Sequence, residues 1–244
     1  VCRWLEAENM IDFYFAPTPN GWKVGIMLEE CGLDYNTILV RLAKGDQFES
    51  EFLAISPNAK MPAIVDHDVD SEPVSVFESG AIMLYLAEKT GKFMPADTFG
   101  RKEMHEWLFW QVGNQGPIGG QLSHFVNYAP EGQDYGRNRY KGEYERNMAV
   151  LENRLEERNF ILGDDYTICD MIVFPWAFIA KNLGTTFDNF PKVADWRERI
   201  KQRPAVRNAI NLMKDKQNNG KHNAENNSLL YNQGAEHLLG KTNR

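Results

Sequence analysis

Apolar and polar residues alternate along Ile11–Phe15 (IDFYF), the period-two pattern of a half-buried strand. The turn Ala16-Pro17-Thr18-Pro19-Asn20-Gly21 closes it with residues that fix the backbone. From Trp22 to Cys31 the apolar Val24, Met27, Leu28 and Cys31 recur at helical spacing, and Gly32 supplies a stop. Tyr35–Leu42, with β-branched Thr37, Ile38 and Val40, reads as a second strand, and Gln47–Ala54 as a short helix with Phe48 and Phe52 on one face. Two more apolar runs, Ala63–Val65 and Val74–Phe77, flank the polar link HDVDSEP and predict a hairpin. A helix follows, its buried stripe at Ile82, Leu84, Tyr85 and Leu86. This order of βαβ, helix, hairpin and helix predicts an α/β domain with a four-stranded mixed sheet and helices on both faces.

Residues 92–100 are a linker by composition, and beyond them the pattern is helical only. A long aromatic helix begins over Glu103–Val112 and is expected to bend near Gly116-Pro117. Tyr140, Tyr144, Met148, Leu151 and Leu155 form the stripe of the next. Thr167–Asp170 is a capping box, with Thr167 as N-cap and Asp170 as the reciprocal acceptor. The run MIVFPWAFIA after it is apolar on all sides and is expected at the centre of a second core. A last amphipathic helix covers Trp196–Met213, interrupted near Pro204, and the polar stretch after it is expected to be mobile. The domain boundaries therefore fall at 10–91 and 101–214, with 1–9 and 215–244 as extensions.

Charge and composition narrow the function. A net charge of −7 with no basic run longer than two residues argues against a nucleic-acid partner. No apolar stretch is long enough for a membrane span, and the first nine residues lack the apolar region of a secretory signal. Three cysteines, Cys2, Cys31 and Cys169, make neither a CxxC nor a disulfide framework, which suggests a reducing, cytoplasmic setting. The histidines lack metal-ligand spacing, so no metal is expected.

The candidate chemistry concentrates between Ser56 and Gly91. Pro62, between Met61 and a strand, is a candidate cis proline. Ser79 falls where an N-cap belongs, so its hydroxyl and the nearby N–H groups suit an anion. A hairpin entered through a proline and left through Glu78-Ser79 can hold an extended peptide, with the Met61 backbone pairing as an added strand. The same residues equally allow an ordinary hairpin and a capped helix. Likewise, Thr18-Pro19-Asn20 before a helix can be plain capping, or can offer two neutral donors beside a positive helix end.

SPNAKMPAIVDH, FESGAIMLYLAEKTG, APTPNG and WLFWQVG together resemble the glutathione transferase superfamily. The similarity is to its nu-class group of bacterial disulfide-bond reductases, related to the fungal nitrogen-regulator prion protein. It covers roughly Met10 to Asp215. It implies a thioredoxin-like glutathione-binding domain followed by an all-helical domain lining the second-substrate pocket. It also implies that Thr18 and Asn20 stabilise the thiolate of bound glutathione, in the place where other classes carry Tyr, Ser or Cys. Gln47, Met61, Glu78, Ser79 and Arg139 would bind glutathione, Glu78 taking the γ-glutamyl amine, Ser79 its carboxylate and Arg139 a ligand carboxylate or a second glutathione. Pro62, Thr167 and Asp170 would be structural.

The activity expected from this resemblance is glutathione-dependent reduction of a disulfide without a protein cysteine. Conjugation of glutathione to an electrophile, or a glutathione-binding regulator without turnover, are the alternatives. Glutathione or its disulfide, a small disulfide or electrophile, and a second copy in a homodimer are the expected partners.

Overall fold

The computed structural model describes residues 10–216 and 238–239. Four strands, β1 (Ile11–Phe15), β2 (Tyr35–Leu39), β3 (Ala63–Asp66) and β4 (Val74–Phe77), form one sheet in the order β2-β1-β3-β4. β1 runs parallel to β2 and antiparallel to β3, and β3 pairs antiparallel with β4, so the sheet is mixed as expected. Alternation along β1 sends Ile11, Phe13 and Phe15 into the main core, while Tyr14 on the other face packs against Phe52 and its small cluster. The crossover from β1 to β2 is α1 (Pro19–Cys31), which ends on Gly32 at φ 68°, a conformation glycine takes without cost.

Between β2 and β3 the expected single helix is divided. A 3₁₀ turn at Asp46–Phe48 precedes α2 (Ser50–Ile55), because Glu49 adopts extended backbone between them. β2 also ends at Leu39, three residues short of the expected Leu42, where a 3₁₀ turn at Leu42–Lys44 takes the chain away from the sheet. α3 (Ser79–Thr90) closes the α/β domain.

The helical half starts earlier than its apolar stripe suggests. Asp97 accepts from the Gly100 N–H at 2.9 Å and caps α4 (Thr98–Trp110), so part of the compositional linker is helix. The axis then passes through one π-helical turn, Gln111–Gln115, into α5 (Gly116–Asn127); the departure from regularity lies just before the Gly-Pro pair. α6 (Asp134–Arg154), α7 (Ile168–Phe178), α8 (Pro191–Lys201) and α9 (Pro204–Asn211) complete the bundle, with Pro204 opening α9. The capping box of α7 is fully formed: Thr167 N–H donates to Asp170 at 3.0 Å, and Asp170 also accepts from Ile161 N–H and the Trp196 indole at 2.9 Å each. As the sequence suggested, α7 is buried from Ile168 through Ala177.

One apolar core runs without a break from β1, α1 and α3 into α4 through α9. α1 is its axis, packed by α3 on one side and by α7 and α9 on others. Arg203 fastens the far end with two bonds to Glu30, at 2.5 and 2.8 Å. Cys2, and nearly all of the polar stretch expected to be mobile, lie outside the described residues.

Candidate active site

The starts of α1 and α3 open onto one cleft of about 360 Å³, whose opposite wall is the π turn, α5 and α7. Thr18 caps α1, its hydroxyl oxygen 3.4 Å from the Gly21 N–H, and its own proton is aimed at Met61 Sδ 3.5 Å away. Gly21 is obligatory for this packing: a β-carbon there would stand 2.3 Å from the Ala16 carbonyl oxygen. Asn20, two residues on, faces the cleft, whereas Thr18 lies behind Met61. The Met61-Pro62 bond is cis, as expected, and both residues border the cleft.

Ser79 is not the N-cap. Glu78 takes that position at φ 69° and ψ 119°, because β4 must turn into α3 within one residue. Ser79 is thereby the first helical residue, and its oxygen accepts from Lys23 Nζ at 3.3 Å instead of capping the helix. The Glu78 carboxylate accepts from Asn58 Nδ2 at 3.2 Å, and both residues line the cleft with Ser79. The corner thus presents one carboxylate, one hydroxyl and the N–H groups of a helix start, which suits an amino acid's paired charges.

Lys23, Gln111, Gln115 and Trp176 are not among the site residues expected from the sequence. Lys23 is 2% exposed and donates to Gln111 Oε1 at 2.8 Å as well as to Ser79. Burial lowers its pKa to about 7, partly offset by the negative field of Glu78. Gln111 and Gln115 both point inward from the π turn, the latter donating to the Val173 carbonyl at 3.2 Å. Trp176 donates its indole N–H to Asn20 Oδ1 at 3.1 Å, turning the Asn20 amide nitrogen away from itself. Room for that indole comes from α5, where a β-carbon on Gly119 would stand 2.6 Å from the ring.

Other expected residues stand elsewhere. Gln47, expected to bind glutathione, is buried at 1% exposed, with its amide donating to the Leu42 carbonyl at 3.3 Å; it does not border the cleft. Its 3₁₀ turn folds it under the loop. Arg139 is exposed on α6 and pairs with Glu143 at 2.6 Å, four residues along the same helix, also away from the cleft lining. Cys31 and Cys169 are reduced and buried, and burial raises both thiol pKa values. A second groove, about 590 Å³, lies between residues 93–103 and 162–167 and contains the capping Thr167 but neither helix-start donor. Among the described residues no cluster of three or more His, Cys, Asp or Glu could hold a metal, and no helix is long and apolar enough to cross a membrane.

Residues 18–89 match the glutathione S-transferase N-terminal domain and residues 133–204 its C-terminal domain. The chain belongs to the glutathione S-transferase family. Disulfide-bond oxidoreductase YfcG of Escherichia coli K12 is 49% identical over 203 residues, covering 82% of this chain and 94% of that protein. A glutathione transferase of Burkholderia graminis, solved with two glutathione molecules per subunit, superposes with a TM-score of 0.80 at 41% identity, covering 86% and 92% of the two chains. One from Pseudomonas putida, solved with one glutathione disulfide per subunit, gives 0.79 at 35% identity, covering 86% and 94%.

Proposed function

We propose that the protein is a glutathione-dependent disulfide-bond reductase whose nucleophile is the thiolate of bound glutathione. The observation that carries this reading is the Asn20 amide at the start of α1, oriented by Trp176 over a cleft whose far corner is Glu78-Ser79. A peptide with an amino-acid head at that corner and a backbone along Met61-Pro62 would bring a thiol toward Asn20. A neutral N–H donor beside a positive helix end favours the thiolate over the thiol. The thiolate attacks one sulfur of the substrate disulfide, giving a mixed disulfide and releasing a thiolate. A second glutathione then attacks the mixed disulfide, so that two glutathione and one disulfide yield glutathione disulfide and two thiols. No protein sulfur enters the balance, consistent with the burial of Cys31 and Cys169.

In this reading Thr18 acts through the α1 cap and Met61, Glu78 takes the γ-glutamyl amine and Ser79 its carboxylate. Gln47 supports the loop behind the peptide, and Arg139 serves a second glutathione only after leaving Glu143. The protein works in the cytoplasm as a homodimer; the exposed Phe77 on β4 and Phe109 on α4 are apolar surface that a second copy would cover. Turnover of 2-hydroxyethyl disulfide with glutathione tests the activity. Glutathione disulfide formed in step with disulfide consumed is expected. Conjugation of an electrophile without disulfide turnover would replace the proposal with a transferase, and binding without either would leave a regulator.

A further inference from the structure

Lys23 is an ammonium group kept out of water at a ligand's expected anchor. It is the sole charge among the first ten residues of α1, lines the cleft, and bonds to Gln111 and Ser79. From the β4–α3 corner Glu78 faces it, and Lys60 borders the same cleft from the loop before β3. The π turn offers it the neutral Gln111, and Trp176 of α7 borders the same cleft with its N–H engaged by Asn20. The acids at the other end of α1 are engaged: Glu29 by Tyr35 and Asn208, Glu30 by Arg203.

We infer that Lys23 sets the direction of the Ser79 hydroxyl proton, and so makes carboxylate anchoring at the start of α3 depend on a proton held by the protein. The inference rests on the proposal that Ser79 receives a ligand carboxylate. A lysine ammonium has three donors and no acceptor. While it donates to Ser79 Oγ, the serine proton must point elsewhere, and Ser79 lines the cleft at the start of α3, where the helix N–H groups lack intrahelical partners. A neutral amine can instead accept the serine proton, and the cleft then loses a donor and a positive charge together. Burial brings the change of state near neutrality in the empty site, with the pKa lowered to about 7. A bound carboxylate adds negative charge beside Lys23 and holds its proton to higher pH. Binding above pH 7 therefore takes up a proton, and affinity falls as pH rises.

S-Methylglutathione, which has no thiol to titrate, isolates this effect. Its binding is measured by calorimetry between pH 6 and 8 in buffers of different ionisation enthalpy, for the wild type, Lys23→Met and Ser79→Ala. The wild type should show a fraction of a proton taken up near pH 8, in excess of that of Lys23→Met, and none in excess near pH 6. Lys23→Met should bind about tenfold more weakly at pH 6 and lose that gap as pH rises. Ser79→Ala should bind more weakly and lose most of the excess uptake. Equal uptake by the wild type and Lys23→Met overturns the inference and leaves the Ser79 anchor standing. Unchanged affinity in Ser79→Ala overturns the anchor, and the inference with it. If Lys23→Met does not fold, Lys23→Gln, which retains a donor toward Gln111 but cannot carry the proton, takes its place with the same outcomes.

Discussion

The indole N–H of Trp176 meets the side-chain oxygen of Asn20 at 3.1 Å, across 156 residues of chain and from one domain to the other. An amide whose oxygen is occupied presents its nitrogen in the opposite direction. The helical domain therefore decides which end of Asn20 the cleft receives.

Replacing that contact and replacing Asn20 should have graded effects. Asn20→Ala removes a donor to a charged sulfur, a bond worth roughly 1.5–3 kcal/mol. Its expected cost is roughly tenfold to a hundredfold in disulfide turnover, with the pH profile moved to higher pH. Trp176→Phe keeps a ring against Gly119 but lets the amide rotate, and should cost about two- to tenfold with a smaller shift of the same sign. In the double variant the two losses should not add, since both act through one amide. Turnover against pH, with melting curves alongside, measures each of these. An unshifted profile in Asn20→Ala would remove the thiolate donor from the mechanism.

Ser79→Ala should separate binding from folding. Because Glu78 occupies the cap, the substitution removes no capping bond; what it takes from the fold is the bond from buried Lys23, so its cost in stability should grow as pH falls and the amine charges, which loss of a cap would not do. Glutathione affinity should fall. Urea midpoints and calorimetry on the same variant read the two effects separately.

The buried thiols should be dispensable. Cys31 Sγ lies among Met27 and Thr90, and Cys169 Sγ donates to the Met104 carbonyl at 3.4 Å, a bond serine can also make. A Cys31→Ser, Cys169→Ser variant should keep its turnover within about threefold, an effect below 1 kcal/mol in barrier. Loss of turnover in a folded double variant would put a protein sulfur into the reaction.

The empty protein should gain stability with alkali at one position. Lys23 titrates near 7 in the fold against 10.5 ordinarily, so between those values the unfolded chain holds more protons. The resulting stability is fully present above the unfolded value and lost as pH falls through 7. Lys23→Met should therefore be most favourable relative to wild type at pH 6–7, with the difference shrinking toward pH 10. Urea denaturation of both proteins across that range gives the comparison.

Much of this site is written in local sequence. Period-two alternation placed β1, the pairing of Thr167 with Asp170 placed the start of α7, and Pro62 marked the one cis bond among the described residues. Ser79 looks like a cap in the sequence because Glu78, unlike glycine, gives no warning of a positive φ. Lys23 left one trace: a lone charge among the first ten residues of α1, flanked by the buried Trp22, Val24, Ile26, Met27 and Leu28, which signals burial rather than solvent. Its partners lie 56 and 88 residues away, so nothing nearby could name them. The π turn is likewise invisible, since its inward glutamines read as a polar helix face until α1 and α7 are packed against them.

Because α1 is gripped by α3, α7 and α9 within a single core, the two walls of the cleft share their support and have no hinge between them. Swinging them apart would break the core itself. The slot must then admit its ligands already open, as a rigid mould does. Kinetically, this means that glutathione association should follow one concentration-dependent phase in stopped flow, without a slower closing step behind it. Turnover is left to the sulfur exchange or to the departure of glutathione disulfide.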